Sequence, residues 1–384
     1  MKLSEYLKNK PIFYKKIDFE RFPKAYNSIK DALKIPPIIH IVGTNGKGST
    51  GRFLAQILEL NGFSVGHFTS PHIFEFRERF YKNGDIVSND ELENAHQILQ
   101  NLLALEFKDS LSYFEYATLL AAILFQNCDY AIFEAGMGGE YDSTNSFPKI
   151  LSLFTPISLD HTEILGDSIE KISKTKLNAM SKTAILNDDM NEISINIAKD
   201  IAVKKGANLS LASENLTTLD KEKISKYLRT FTLPKFLISN LTLACAAVKS
   251  LNLELNLSGL GKLNLRGRQE QILPNLTVDV GHNEDAARAV LEEFKGKKIT
   301  LIYNAFKDKN YTKILAILKP IIKEVKIYCY KSEFRELATD DIFNVCENLG
   351  IKCSKFSSLN SDENFLVFGS FMLVEEFLKN ENLC

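Results

Sequence analysis

Ile38-Ile39-His40-Ile41-Val42 runs without a break into Gly43-Thr44-Asn45-Gly46-Lys47-Gly48-Ser49-Thr50, and Phe53, Leu54, Ile57, Leu58 and Leu60 then recur at helical spacing. A short apolar run reads as a buried strand, and recurrence at three and four residues reads as an amphipathic helix. Between the two, Gly43, Gly46 and Gly48 let the backbone approach a ligand closely, and Lys47 supplies a point charge for β/γ-phosphates. Strand, glycine loop and helix in that order form the setting in which backbone N–H groups and the helix dipole cradle phosphates. The string departs from the standard GxxxxGK[ST] pattern because Lys47 precedes Gly48, so by itself it leaves open a glycine-rich turn with an exposed lysine.

The same alternation of apolar runs and amphipathic stretches continues along the chain, as expected where parallel strands are joined by crossover helices. Runs at Tyr130 to Glu134 and at 150–154 read as further buried strands. A second series predicts strands at 276–280, 299–303, 325–330 and 365–368, with helices at 284–294, 312–322 and 340–349. Residues 187–220, rich in Asn, Ser, Asp and Lys, read as surface elements or a peripheral insertion, and 255–263, with Gly259 and Gly261, as a linker. The fold class is α/β: a P-loop nucleotide-binding domain with a mostly parallel sheet over 1–263, then a smaller Rossmann-like α/β domain over 264–384.

Composition narrows the partners. A chain of 384 residues with 45% hydrophobic and 25% charged residues can bury a sizeable core, which excludes disorder and fibrous repeats. Forty-seven Lys and Arg against 48 Asp and Glu leave a net charge of −1, no overall field for gripping nucleic acid or an acidic membrane. Residues 1–13 lack the apolar core of a signal peptide, and no run reaches the ~20 apolar residues of a membrane helix. The six cysteines include no CxxC pair, which argues against a zinc site or a disulfide framework. Reduced thiols in a cytoplasmic monomer are the expectation.

Phosphate chemistry needs Mg²⁺, which takes oxygen ligands. Glu134 ends an apolar strand and enters Ala135-Gly136-Met137-Gly138-Gly139, which puts its carboxylate at the sheet's carboxyl edge, where open α/β sheets bind ligands. Asp160-His161-Thr162 follows another apolar run, and a histidine there could bind metal or neighbour a helix cap. Arg266, Gly267 and Arg268 read equally well as a solvated linker, and Asp279 with His282 as a polar strand end.

In combination these stretches are more specific. GTNGKGST (43–50), FTSPHIFEFRERF (68–80), SYFEYATL (112–119), EAGMGGEYDSTN (134–145), SLDHTEILGDSIEKI (158–172), LRGRQE (265–270), VDVGHNEDAA (278–287) and VFGSF (367–371) follow one another in the order found in folylpolyglutamate synthases. Over residues 4–371 the chain resembles the bacterial bifunctional dihydrofolate synthase/folylpolyglutamate synthases of the Mur ligase superfamily. The resemblance implies that Gly46, Lys47, Gly48 and Ser49 form the ATP phosphate loop, and that Asn240, Arg268 and Asp279 contact the nucleotide. It implies Ser70, Glu134 and His161 as magnesium ligands, and a carbamylated Lys176 completing a second Mg²⁺ site. Arg79, His282 and Ser370 match positions that bind glutamate, while Tyr113, Phe114, Glu115 and Asp142 match the pterin- or folate-binding segment.

The implied reaction uses ATP to phosphorylate the carboxylate of dihydropteroate or of a folate, after which free L-glutamate attacks the acyl phosphate. Lys47, Lys176 and His282 are the candidate catalytic groups; His282 is a weak candidate for the base and fits glutamate binding better. Three departures stand out. Relatives commonly read Glu-Lys-Ala-Gly where this chain has Thr175-Lys176-Leu177-Asn178, Arg-Leu-Asp where it has Glu140-Tyr141-Asp142, and His-Asn-Pro where it has His282-Asn283-Glu284. A folate-only ligase, another Mur-type ligase acting on a cell-wall precursor, and a nucleotide-dependent P-loop binding module are the rival readings.

Overall fold

The computed structural model describes residues 1–11, 18–332 and 335–384; Ile12 and Phe13, at the end of the N-terminal stretch read against a signal peptide, lie outside them. Two compact units emerge, one of Met1–Leu233 with Leu237–Asn264 and one of Leu265–Cys384 with Pro234–Phe236. Each is built on a mostly parallel sheet.

The first sheet contains β1 (Ile38–Val42), β2 (Val65–Phe68), β3 (Phe80–Lys82), β4 (Asp85–Ile86), β5 (Tyr130–Glu134), β6 (Leu151–Phe154), β7 (Thr183–Leu186) and β8 (Asn208–Leu211), in the spatial order β4-β3-β2-β5-β1-β6-β7-β8. Strand β3 pairs antiparallel with both β2 and β4, and the other pairings in this sheet are parallel. All five residues of β1 are buried, because a strand with parallel partners on both edges and helices on both faces has no solvent side. Side chains of a strand point alternately to its two faces. On one face, Phe68 and Phe133 pack with Leu119 and Leu120 of the helix Tyr113–Leu124. Phe154 and Leu186 pack with Ile172 and Ala198, from the helices Ile169–Leu177 and Glu192–Lys205. On the other, His67 lies against Gly51 and Arg52 of the helix Lys47–Leu60, which opens directly from the glycine loop.

The second sheet orders β9 (Glu270–Leu273), β10 (Leu276–Asp279), β11 (Ile299–Tyr303), β12 (Ile322–Ile327), β13 (Cys353–Lys355) and β14 (Phe365–Phe368) as β13-β12-β11-β14-β10-β9. Of these, β9 is the antiparallel edge.

Three expectations need correction. Residues 187–220 are no peripheral insertion: β8 pairs in parallel with β7 and extends the sheet, with the helix Glu192–Lys205 burying Ala198, Ile201 and Ala202 beneath it. Residues 255–263 are no free linker, because Leu255, Leu257 and Leu260 are buried and Arg52 donates to the Asn264 carbonyl while Gln56 donates to that of Lys262 at 3.3 Å. In the second unit the helix expected to 322 ends at Leu318, and β12 begins at Ile322, where Ile322, Val325 and Ile327 turn inward on a sheet partner.

Two buried histidines carry a stability prediction. His40 in β1 and His67 in β2 are held well below the ordinary histidine pKa, first by burial and then by the cations Lys149 and Arg52 respectively. The unfolded chain therefore takes up protons below about pH 6.5 that the native chain refuses, so the histidine contribution is intact above that pH and is lost as pH falls. Each histidine is expected to cost about 1.4 kcal/mol per pH unit in this window. Urea unfolding of wild type and His40→Gln at neutral pH and about one unit below pH 6.5 should show a shallower acid loss in the variant; equal losses would refute the assignment.

Candidate active site

The site is assembled at the carboxyl edge of the first sheet. Ile41 is in register with Glu134, and Phe68 with Phe133, so the glycine loop after β1, the loop after β2 and the end of β5 meet side by side. Gly46 has φ +90 and lies so close to Asn240 that an added Cβ would sit 2.5 Å from its Oδ1; glycine satisfies both demands. Asn240, which the resemblance assigns to the nucleotide, is thus set against the loop, with its Nδ2 buried and without a hydrogen-bond partner among the described residues. Lys47 Nζ folds back to donate to Thr44 O at 3.1 Å and lies 3.8 Å from Glu134 Oε1. Glu134, 4% exposed, accepts on Oε2 from the Thr69 hydroxyl and from the Ser70 N–H at 3.3 Å.

Lys176 is a buried lysine, not a surface one. Its Nζ donates to Gly43 O at 2.8 Å, on the glycine loop itself. Burial, with the Lys47 cation second, brings its pKa down to about 7, while Asp160 and Asp142 pull the other way. His161 stands at the start of the short helix Thr162–Leu165 with a left-handed φ of 51°, roughly half exposed, its Nε2 4.0 Å from Asp160 Oδ2.

Among the described residues no cluster of three or more His, Cys, Asp or Glu side chains could hold a metal ion by itself. The donors present still fit Mg²⁺, a hard cation that shares its shell among carboxylates, hydroxyls, phosphate oxygens and water. Glu134 supplies a buried carboxylate beside the loop, and Ser49 Oγ, fully buried at the first turn of the helix, has no hydrogen-bond partner among the described residues.

Beside this centre lies an aromatic wall. Arg79, 8% exposed, donates from Nε to His72 Nδ1 at 2.9 Å and places its guanidinium 5.2 Å from the Tyr113 ring centre. Tyr113 meets Phe76 edge-on at 5.2 Å, and Phe114 stacks on Phe68 at 5.7 Å. Of the residues assigned from sequence to glutamate and to the pterin, Arg79 and Tyr113 are therefore neighbours.

Glu115 and Asp142 prove to have structural tasks that sequence reading missed. Glu115 closes a capping box with Ser112 at the start of the helix Tyr113–Leu124 and pairs with Arg21 at 2.8 Å. The S-x-x-E spacing of Ser112 and Glu115 was the available signal. Asp142, its pKa raised by burial, accepts from Met137 N at 2.9 Å and from the Thr144 hydroxyl at 2.6 Å, and Thr144 in turn meets His40 Nε2 at 2.8 Å. Glu140 turns its Oε2 to Asn178 Nδ2 at 2.8 Å.

In the second unit, Asp279 and Phe368 are paired at the carboxyl ends of β10 and β14, which gathers Arg268, Asp279, His282 and Ser370 at one sheet edge. Asp279 accepts from Gln269 N at 3.0 Å and Gly281 N at 2.7 Å, and Arg268 sits 5.0 Å over the Phe371 ring. Ser370 caps the helix Phe371–Asn380 by accepting from Leu373 N, and His282 Nδ1 lies 3.2 Å from Val280 O. The helix after Asn283 begins at Glu284, with Asn283 as its cap.

Comparison with known proteins places these arrangements. The Mur ligase middle domain model matches residues 41–265. The Escherichia coli dihydrofolate synthase/folylpolyglutamate synthase is 30% identical over 379 residues, covering 90% of this chain and 86% of that protein. The crystal structure of Helicobacter pylori folylpolyglutamate synthetase superposes with a TM-score of 0.80 at 42% identity, covering 99% of this chain and 98% of the other. A bifunctional folylpolyglutamate synthase/dihydrofolate synthase solved with Mn, AMPPNP and L-glutamate bound gives 0.81 at 25% identity over 100% and 98%. These matches lead to one conclusion: the chain belongs to the Mur ligase family, among its dihydrofolate synthase/folylpolyglutamate synthases, and is an ATP-dependent glutamate ligase.

Proposed function

We propose that this enzyme joins L-glutamate to dihydropteroate and to reduced folates through an acyl phosphate. The observation that carries the reading is the convergence of two lysines and a carboxylate on one glycine loop, Lys47 Nζ 3.8 Å from Glu134 Oε1 and Lys176 Nζ 2.8 Å from Gly43 O, beside the Arg79–Tyr113 wall. An oxygen of the acceptor carboxylate attacks the γ-phosphorus of ATP and ADP leaves. The glutamate amine then attacks the acyl carbon, phosphate departs, and the nitrogen gives up a proton as the amide forms.

Gly46, Gly48 and Ser49 offer backbone N–H groups at a helix start to the phosphates, and Lys47 exchanges its contacts with loop carbonyls for the transferring phosphoryl group. Mg²⁺ bound here would supply Lewis-acid neutralisation of phosphate charge. Ser70, Glu134 and His161 are assigned to hold one ion, and a Lys176 carbamate a second. A lysine with a pKa near 7 presents the neutral amine that carbon dioxide requires. Tyr113 and Phe114 offer aromatic faces to a pterin, Glu115 and Asp142 hold that segment in shape, and Arg79 offers a buried cation to a carboxylate. Asn240, Arg268 and Asp279 are assigned to the nucleotide, and His282 and Ser370 to glutamate.

A folate-only ligase is the second reading, favoured by the name of the Helicobacter pylori protein, folylpolyglutamate synthetase alone. Assay of dihydropteroate and tetrahydrofolate, each with ATP and glutamate, separates the two: product from both is expected, and extension of tetrahydrofolate alone would leave the folate-only enzyme. Tyr113→Ala is expected to raise KM for either acceptor about tenfold, the loss of one aromatic face, with KM for ATP unchanged. An unchanged acceptor KM would remove Tyr113 from the site.

A further inference from the structure

The loop that follows β5 grips the helix Ile169–Leu177 at its last turn. The Glu140 N–H donates to Thr175 O at 2.9 Å, Gly139 lies so close that an added Cβ would sit 2.6 Å from Lys176 O, and Glu140 Oε2 accepts from Asn178 Nδ2 at 2.8 Å. Lys205 Nζ, at the end of the helix Glu192–Lys205, also donates to Met180 O at 3.1 Å and to Asn178 O. A cation at a helix C-terminus and an acceptor locked onto its capping side chain together fix the rotation and axial position of that turn. The side chain set by this turn is Lys176, whose Nζ reaches Gly43 O on the glycine loop.

We propose that Glu140 and Asn178 form a positioning pair that holds Lys176 against the glycine loop, rather than Glu140 facing the acceptor substrate. The inference rests on the proposed role of Lys176 in ligation, but the pair's geometry is independent of it. Glu140 stands within the loop running from Glu134 to Asp142, so one segment both supplies the buried carboxylate and fixes the opposing lysine. Glu140 Oε2 and Asn178 Nδ2 act as a unit, so losing either should free the same turn.

The test compares wild type with Glu140→Ala, Asn178→Ala, the double variant and Glu140→Gln, whose amide oxygen can still accept from Asn178. Acetylation of Lys176 by an N-hydroxysuccinimide ester, followed by peptide mass spectrometry, reads its shielding without reference to ligase activity; kcat and KM are read alongside. Each alanine variant is expected to acetylate at Lys176 about tenfold faster and to lose about tenfold in kcat, because small misplacements of a reacting group are costly. The folate KM should stay within about twofold, and the double variant should match the singles, as coupled residues do. Glu140→Gln should restore most of both readouts. Unchanged labelling, multiplied effects in the double variant, or a loss confined to folate KM would overturn the proposal. If Glu140→Ala does not fold, Asn178→Ala, which removes only the donor, decides by the same readouts. A wild type that labels as expected but ligates no folate would refute the proposed reaction and leave the positioning pair standing.

Discussion

Lys47→Ala is expected to lower ligation about a thousandfold while the protein stays folded, the scale seen when a group stabilising transition-state charge is removed. The polar contacts of the Lys47 Nζ are with the Gly43 and Thr44 carbonyls and the Glu134 carboxylate, and Glu134 keeps the Thr69 hydroxyl and the Ser70 N–H when Lys47 is gone. What disappears is the mobile cation that can leave those contacts for a phosphoryl group. The loss should therefore fall mainly on kcat, with the thermal midpoint little altered. Turnover near wild type in a folded Lys47→Ala protein would remove the glycine loop from the phosphate site.

Lys176→Met is expected to lower ligation about a hundredfold or more, if the lysine carries the oxygens that hold a second cation. Stability should move differently from activity. Since burial holds the native pKa near 7, the unfolded chain binds a proton between about pH 7 and 10 that the native chain does not. Wild-type stability therefore rises with pH across that window, and below it the penalty is complete and constant. Methionine keeps the apolar stem without the charge, so the variant should lose this slope and be no less stable at neutral pH. Labelling with ¹³C-bicarbonate provides a direct look at the carbamate: a carbamate resonance in wild type that is absent from Lys176→Met is expected. Full activity in Lys176→Met, or an unaltered pH slope of stability, would contradict the account.

The strand, glycine turn and helix from Ile38 to Leu60 could be read from sequence because all the information is local. Five consecutive buried positions, a glycine cluster and a 3.6-residue apolar period lie within 23 residues, Ile38 to Leu60. The strand β2 could not, since Val65-Gly66-His67-Phe68 contains a glycine against Phe125 and a buried histidine, and only its neighbours β3 and β5 make it a strand. The edge strand β8 was obscured in the same way: its half-buried residues alternate weakly, and its pairing with β7 decides its state. At the site, residue types were legible but directions were not. Glu140 stands out in the sequence only as a departure from the relatives' Arg-Leu-Asp, and its bond to Asn178, 38 residues away, is not legible there. Glu115 and Asp142 are legible as carboxylates of the implied binding segment, but their bonds to helix caps and backbone donors are not. Lys176 is singled out by the resemblance, but its burial, unlike that of Lys171 and Lys174, shows only once the helix is docked.

The central claim is that one site couples ATP cleavage to amide formation between a pteroate or folate carboxylate and glutamate. Its most direct test is the stoichiometry of phosphate release with purified protein, ATP and Mg²⁺, supplied with dihydropteroate, tetrahydrofolate or a cell-wall nucleotide, each with and without glutamate. The account predicts one phosphate released per glutamate joined, with dihydropteroate and with tetrahydrofolate, and no sustained release when either the acceptor or glutamate is withheld. Phosphate release that ignores glutamate, or ligation supported only by the cell-wall nucleotide, would contradict it.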